Sequence, residues 1–264
     1  MQTAQSKRST LKLAALVLAG FAIAGLAACG KKEEAAPAKA LVVGTDAAYA
    51  PFESQDAQGN IVGFDIDVVK AIAANQGLEV KFVNTPWEGI FNTLAQGDRD
   101  LLVSAITITA ERKQTMDFSN PYFDAKQLIA VAEKSTVTKF ADLKTLKVGV
   151  QTGTTGDDVV QGLLGKDSAN IKRFESTPLA LKELEAGGVQ AVVADNGVVE
   201  NYVNNNANFK FKTVSDDSFT PEQYGIAVRK GNTELLEKIN KGLAAIKADG
   251  TYAKIHAQWF GGKK

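Results

Sequence analysis

Beyond residue 40 the apolar positions of this chain alternate between short continuous runs and longer runs at helical spacing. Leu41-Val42-Val43-Gly44-Thr45 is of the first kind and ends at a polar turn, the form of a strand buried on both faces. The turn Gln58-Gly59-Asn60 and Ile61-Val62-Gly63 follow. Ile66, Val69, Ile72 and Ala73 then recur at three- and four-residue intervals, which predicts a helix over 65–75 stopped by Gly77. Strands are predicted over 79–84 and 101–106, on either side of a helix over 87–95 with Gly97 just past its end.

A β-prone run over 127–132 breaks the alternation and leads through Phe140-Ala141-Asp142-Leu143 into a second series. Strands over 147–150, 171–174 and 191–194 alternate there with helices over 155–164, 177–186 and 198–203. The second of those helices is punctuated by Thr177 as N-cap, Pro178 in its first turn and Gly187-Gly188 beyond its end. Short β-prone stretches over 209–214 and 224–228 precede two amphipathic helices, 233–248 and 251–259, separated by Gly250. Two βα series joined by β-like connectors predict two α/β lobes, each a mostly parallel sheet flanked by helices. The expected limits are 41–129 plus 226–264 for the first lobe and 130–225 for the second, with hinge crossovers near 127–132 and 222–228. Ligands of open α/β sheets sit beyond the carboxyl ends of the strands, so such lobes would face each other across a cleft.

The amino end has a different pattern. Lys7, Arg8 and Lys12 precede an apolar run from Leu13 to Ala24, the layout of a cleaved export signal over 1–28. About twelve apolar residues rise roughly 18 Å as a helix, short of the roughly twenty residues that a membrane span takes. The segment ends in Leu26-Ala27-Ala28-Cys29. Residues 29–40, with Lys31, Lys32, Glu33, Glu34, Pro37 and scattered alanines, form no apolar face and read as a flexible tether.

Composition narrows the function classes. Without Lys7, Arg8 and Lys12 the 30 basic residues become 27 against 30 acidic ones, a balance that offers no basic field for nucleic acid. One cysteine and one histidine exclude an intrachain disulfide and a soft metal site, and His256 in the last helix reads as a surface or helix-packing residue. No cofactor motif is present. Gln151-Thr152-Gly153-Thr154-Thr155-Gly156 lacks the Gly-Lys-Ser/Thr ending of a phosphate loop.

The predicted strand ends contain Asp46, Tyr49, Trp87, Ser104, Thr107, Arg112, Gln151, Thr155 and Asp195. They supply no paired general acid and base, no nucleophile–base arrangement and no metal cluster, so the chain is expected not to be an enzyme. A free α-amino acid needs a cation for its carboxylate, an anion for its ammonium and a concave place for its side chain. Arg112 suits the first role by its planar fork and Asp195 the second, while Thr107, Thr109 and Thr155 can add hydrogen bonds near a helix N-terminus. Each residue also has a plainer reading. Arg112 lies in a charged run that can be solvated, Asp195 can cap the helix after it, Asp46 can cap a turn, and Tyr49 and Trp87 can be core.

Several segments together resemble one family: Gly44-Thr45-Asp46-Ala47-Ala48-Tyr49-Ala50-Pro51-Phe52-Glu53, Val62-Gly63-Phe64-Asp65-Ile66-Asp67, Ile106 to Arg112, Asp117-Phe118-Ser119 with Pro121-Tyr122, and Tyr224-Gly225-Ile226-Ala227. They are similar to the family 3 solute-binding proteins of polar amino-acid ABC importers, such as the glutamine-binding and lysine/arginine/ornithine-binding proteins. The resemblance implies the type II two-lobed periplasmic-binding-protein fold, a monomeric folded part and delivery of the ligand to a membrane permease. It implies that Arg112, helped by Thr107 and the backbone near Ala105 and Thr155, meets the α-carboxylate, and that Asp195, helped by Ser104, meets the α-ammonium. Asp46 would meet the ligand side chain and Tyr49 and Trp87 would sandwich it, while Phe64 and Asp65 support the structure. Where the glutamine-binding pattern has a lysine and a histidine, this chain has Gln151 and Ala194. The pocket left more acidic favours arginine or lysine, with glutamine the alternative. Leu26 to Cys29 resembles a lipobox, which implies a lipid on Cys29 and a periplasmic or envelope location, with Gly30 leaving inner or outer membrane open. A sensory lipoprotein and a cyclohexadienyl dehydratase-like enzyme are the other readings of the same fold.

Overall fold

The computed structural model describes residues 39–261; the expected export signal, Cys29 and all of the expected tether except Lys39 and Ala40 lie outside the described residues. The chain starts with β1 (Leu41–Thr45), followed by an antiparallel flap of β2 (Ala48–Tyr49), β3 (Glu53–Gln55) and β4 (Ile61–Val62). Gly63 turns the flap into α1 (Phe64–Gln76) at φ 145°, where an added Cβ would stand 2.0 Å from the Phe52 carbonyl oxygen. The helix buries Phe64, Ile66, Val68, Val69, Ile72 and Ala73, and Gly77 ends it in the left-handed conformation.

Next come β5 (Val80–Asn84), α2 (Ile90–Gln96), β6 (Leu101–Leu102), α3 (Arg112–Thr115), β7 (Met116–Phe118) and β8 (Phe123–Ala125). Two of these are shorter than the spacing predicts. Gly89 at φ 86° cannot lie inside a right-handed helix, so α2 begins at Ile90 and leaves Trp87 outside it. The strand expected over 101–106 ends at Leu102, because Ala105 at φ 46° turns the chain away from the sheet.

The second series comprises β9 (Gln127–Ala132), a 3-10 turn at Phe140–Thr145, β10 (Val148–Gln151), α4 (Thr155–Leu164), β11 (Ile171–Phe174), α5 (Thr177–Glu185), β12 (Ala191–Asp195), α6 (Asn196–Asn205) and β13 (Phe211–Val214). The N-cap of α5 is Ser176 and not Thr177, since Thr177 already has helical geometry. Its free amide is satisfied from the neighbouring strand: Thr177 donates through N at 3.2 Å and Oγ1 at 3.0 Å to Oε1 of Gln151. The chain closes with β14 (Glu222–Tyr224), β15 (Ala227–Arg229), α7 (Thr233–Ala248) and α8 (Thr251–Phe260). Gly225 splits the single strand expected over 224–228, lying so close to Ile108 that a Cβ would meet its side chain at 2.9 Å.

Two five-stranded sheets result, in the orders β5-β1-β6-β15-β7 and β11-β10-β12-β9-β13. In each, four strands share a direction and the fourth in order runs against them. That reversed strand is where the chain enters from the other lobe, β9 after β8 and β15 after β14. The two connecting segments, β8 and β14, pair antiparallel with each other. Behind them Phe52 packs against Phe123, Tyr224 and Phe260 at ring distances of 4.9, 5.3 and 5.3 Å, within the core that α1, α7 and α8 share. His256 is exposed on α8, with its ring against Phe64 and Phe123. Among the described residues no helix is long and apolar enough to cross a membrane.

Gly63→Ala is expected to lower the stability by about 3 kcal/mol or more in denaturant unfolding, because strain and a backbone clash coincide. Gly77→Ala, whose added Cβ meets nothing within 4 Å, should cost only about 1–2 kcal/mol for its left-handed φ.

Candidate functional site

The carboxyl ends of the central strands of both sheets converge on one pocket. Its lining holds all ten residues named from the sequence, Asp46, Tyr49, Trp87, Ser104, Ala105, Thr107, Arg112, Gln151, Thr155 and Asp195, together with Thr154. Asp46 follows β1, Gln151 and Asp195 end β10 and β12, and Thr154 and Thr155 open α4.

Arg112 owes its position to a local turn. Its amide donates to Thr109 Oγ1 at 3.1 Å, and its guanidinium Nη1 donates to the Thr107 carbonyl at 2.9 Å. The guanidinium carbon lies 5.3 Å from the Trp87 ring centre and 5.2 Å from that of Phe91. Burial lowers the Arg112 pKa from its ordinary value, against the opposing pull of Asp158, Asp195 and Glu222. The cation is thus half-buried with its plane fixed, rather than solvated in the charged run that contains it.

Asp195 stands at the N-cap position of α6, yet its side chain makes no capping bond. Oδ2 accepts from the hydroxyls of Tyr49 at 3.0 Å and Tyr224 at 2.5 Å, and Oδ1 accepts from Gln127 Nε2 at 2.5 Å. Burial, then the nearby charge of Glu222, pushes its pKa up to about 6, although the three donors pull it down. The Tyr49 ring stacks near Phe52 while its hydroxyl reaches across to the second lobe, so this residue is both core and pocket.

Asp46 has weaker company. Its amide donates to Ser104 Oγ at 3.0 Å, and its carboxylate accepts from Gln151 Nε2 at 3.4 Å. Burial raises its pKa, and among the described residues no cation forms an ion pair with it. Gln151 is held by Thr177 on one side and by donation to the Glu175 carbonyl at 3.1 Å on the other, so its amide direction is set before it meets Asp46.

Three participants escape the sequence reading. Glu222 Oε2 accepts from Thr107 Oγ1 at 2.6 Å and Thr155 Oγ1 at 2.8 Å, joining the two lobes through the crossover strand β14. Its Oε1 accepts from Gln127 Nε2 at 2.9 Å. Gln127 is the polar first residue of the otherwise apolar Gln127–Ala132 strand and is buried; a polar residue in such a run is the one signal that pointed to it. Thr154 caps α4 by accepting from the Asp157 amide at 3.2 Å.

The pocket between the two α/β lobes is thus lined by one cation, Arg112, and two carboxylates, Asp46 and Asp195. Residues 41–262 match the family described as bacterial extracellular solute-binding proteins, family 3. The chain belongs to that family. Among its relatives, a probable histidine-binding protein of Neisseria gonorrhoeae is 45% identical over 256 residues, covering 94% of this chain and 95% of that one. The ABC transporter arginine-binding protein 1 of Escherichia coli K12 is 36% identical over 228 residues, covering 86% and 93%. The crystal structure of ArtJ, an arginine-, lysine-, histidine-binding protein of Geobacillus stearothermophilus, superposes with a TM-score of 0.82 at 43% identity, covering 86% of this chain and 97% of that one. This family 3 solute-binding protein therefore works outside the cytoplasm, in the cell envelope, as a receptor and not as an enzyme.

Burial pushes the folded-state pKa of Asp195 up to about 6 against an ordinary 3.8, and raises that of Asp65 in the same direction. The folded state then binds more protons than the unfolded chain between about pH 4 and pH 6, so the ligand-free protein should lose stability as pH rises through that window. Denaturant unfolding at a series of pH values checks this, and Asp195→Asn should flatten part of the slope.

Proposed function

We propose that this protein is the substrate-binding component of an ABC importer and captures a basic L-amino acid, arginine or lysine first. Asp46 carries the reading: a half-buried carboxylate at the pocket wall has no cation of its own among the described residues, and a guanidinium or ammonium side chain supplies one. The relatives that bind arginine, lysine or histidine support the same choice. Arg112 receives the α-carboxylate as a bidentate partner, with Thr107, Thr155 and the Ala105 backbone beside it. Asp195 and Ser104 receive the α-ammonium. Tyr49 and Trp87 present ring faces to the aliphatic stem of the side chain, and Gln151 orients Asp46.

Asp46, Tyr49, Trp87, Ser104, Thr107 and Arg112 belong to a first lobe built on the sheet β5-β1-β6-β15-β7, and Gln151, Thr155 and Asp195 to a second built on β11-β10-β12-β9-β13. Only a closed cleft satisfies both ends of the zwitterion, so ligand shifts the lobes toward closure in proportion to its preference for the closed form. The crossovers through β8 and β14 are the hinge. A permease that recognises the closed form takes the ligand onward. A lipid on Cys29, with the tether after it, keeps the receptor at the membrane surface.

Calorimetry with the twenty amino acids and ornithine tests the ligand class: arginine or lysine is expected to bind tightest, and tighter binding of glutamine rejects the assignment. Arg112→Ala should weaken arginine by about thirtyfold or more, since truncating one partner of a buried charge pair costs about 2–5 kcal/mol. Asp46→Asn should weaken arginine at least about tenfold and leave glutamine nearly unchanged. Cys29→Ala should move the protein from the membrane fraction to the soluble periplasmic fraction, as read by fractionation and immunoblot.

A further inference from the structure

Directly beneath the pocket, two acids are buried side by side. Glu53 in β3 and Asp65 in the first turn of α1 each expose 0% of their surface, and their carboxyl groups lie within hydrogen-bonding reach of each other. Asp65 Oδ2 accepts from the Ala105 amide at 2.8 Å and the Tyr122 hydroxyl at 2.7 Å. Glu53 Oε1 accepts from Ser104 Oγ at 3.1 Å. The two remaining oxygens, Glu53 Oε2 and Asp65 Oδ1, are buried with no donor.

Two adjacent carboxylates without a cation cannot both stay ionised in a dry site, and one proton between the two orphan oxygens satisfies both. Asp65 has two donors on its other oxygen and Glu53 has one, so the anion rests better on Asp65. The other titratable groups facing the pair are Asp46, Tyr49 and Tyr122, with Tyr252 beyond Asp65. None of these is a cation.

We propose that Glu53 is held protonated, donating to Asp65, and that this neutral acid–carboxylate pair braces the Ser104-Ala105 turn so that Ser104 faces the pocket only as a hydrogen-bond acceptor. The Ser104 hydrogen goes to Glu53 Oε1, and one lone pair takes the Asp46 amide at 3.0 Å. The lone pair left over suits an ammonium and repels a carboxylate. Asp65 meanwhile holds the amide of Ala105, the one non-glycine residue with positive φ among the described residues, at φ 46°. The pair thus fixes both the polarity and the backbone of one pocket wall. Its link to ligand choice rests on the amino-acid reading of the pocket.

Glu53→Gln is the discriminating variant, because its amide can donate to Asp65 and still accept from Ser104, which mimics the protonated acid and cannot ionise. Infrared spectra of the ligand-free protein should contain a protonated-carboxyl C=O band at neutral pH that Glu53→Gln lacks; absence of that band in the parent overturns the proposal whatever the ligand is. Arginine calorimetry should give Glu53→Gln an affinity within about threefold of the parent at pH 7, whereas Glu53→Ala and Ser104→Ala should lose about tenfold or more. Parental affinity should decline on the alkaline side, as Glu53 ionises, and Glu53→Gln should not follow. Equal losses in Glu53→Gln and Glu53→Ala, or an identical alkaline decline in Glu53→Gln, overturn it as well. If the parent binds no amino acid but keeps the infrared band, the ligand assignment fails and the proton pair stands.

Discussion

The cleft of this protein gathers acids in a place poor in cations, and its architecture follows from keeping them there. Asp46, Asp195 and Glu222 surround a pocket whose lining contains a single cation, Arg112. Burying a carboxylate without a partner costs several kcal/mol, so each must be held by hydrogen-bond donors or share a proton. Asp195 recruits Tyr49, Tyr224 and Gln127, while Glu222 recruits Thr107, Thr155 and Gln127. Asp46 is left with the Trp87 backbone amide and a long contact to Gln151. Hydroxyls and amides make these anions tolerable without neutralising them.

The same donors connect the lobes. Tyr49 lies in the flap beside β1 and Asp195 at the end of β12, so their hydrogen bond spans the cleft. Glu222 sits on one of the two strands that carry the chain between the sheets and grips a hydroxyl from either side. The aromatic cluster around Phe52 backs those strands. Electrostatics and hinge geometry are therefore one problem, since moving the lobes apart removes donors from Asp195 and Glu222 together. A ligand that supplies new partners to these groups acts directly on the equilibrium between lobe positions.

Much of this was legible in the chain before folding was considered. The βα alternation marks the repeated elements, since strand and helix burial have different periods, and α4 and α7 occupy the limits that their spacing predicts. The ten named pocket residues could be listed because strand ends of open sheets are where ligands gather and because the motifs place them. Positive-φ positions were harder. Gly89 delays α2 and Ala105 cuts β6 short, and neither follows from hydrophobic pattern, because a left-handed backbone at one residue leaves no periodic trace.

What the sequence alone determined was the inventory: two βα series and a set of strand-end residues that includes one arginine and two aspartates. Which groups face one another was decided only by the tertiary structure. Asp195 could equally have capped α6, and the tyrosines of two other segments direct it into the cleft instead. Glu222, Gln127 and the Glu53–Asp65 pair acquire their roles from partners between 12 and 115 residues away, as Glu53 and Asp65 lie 12 positions apart and Thr107 and Glu222 lie 115 apart. Hydrogen bonds and proton sharing are short-ranged in space and indifferent to separation along the chain, so spacing reports the elements while only folding brings their ends together.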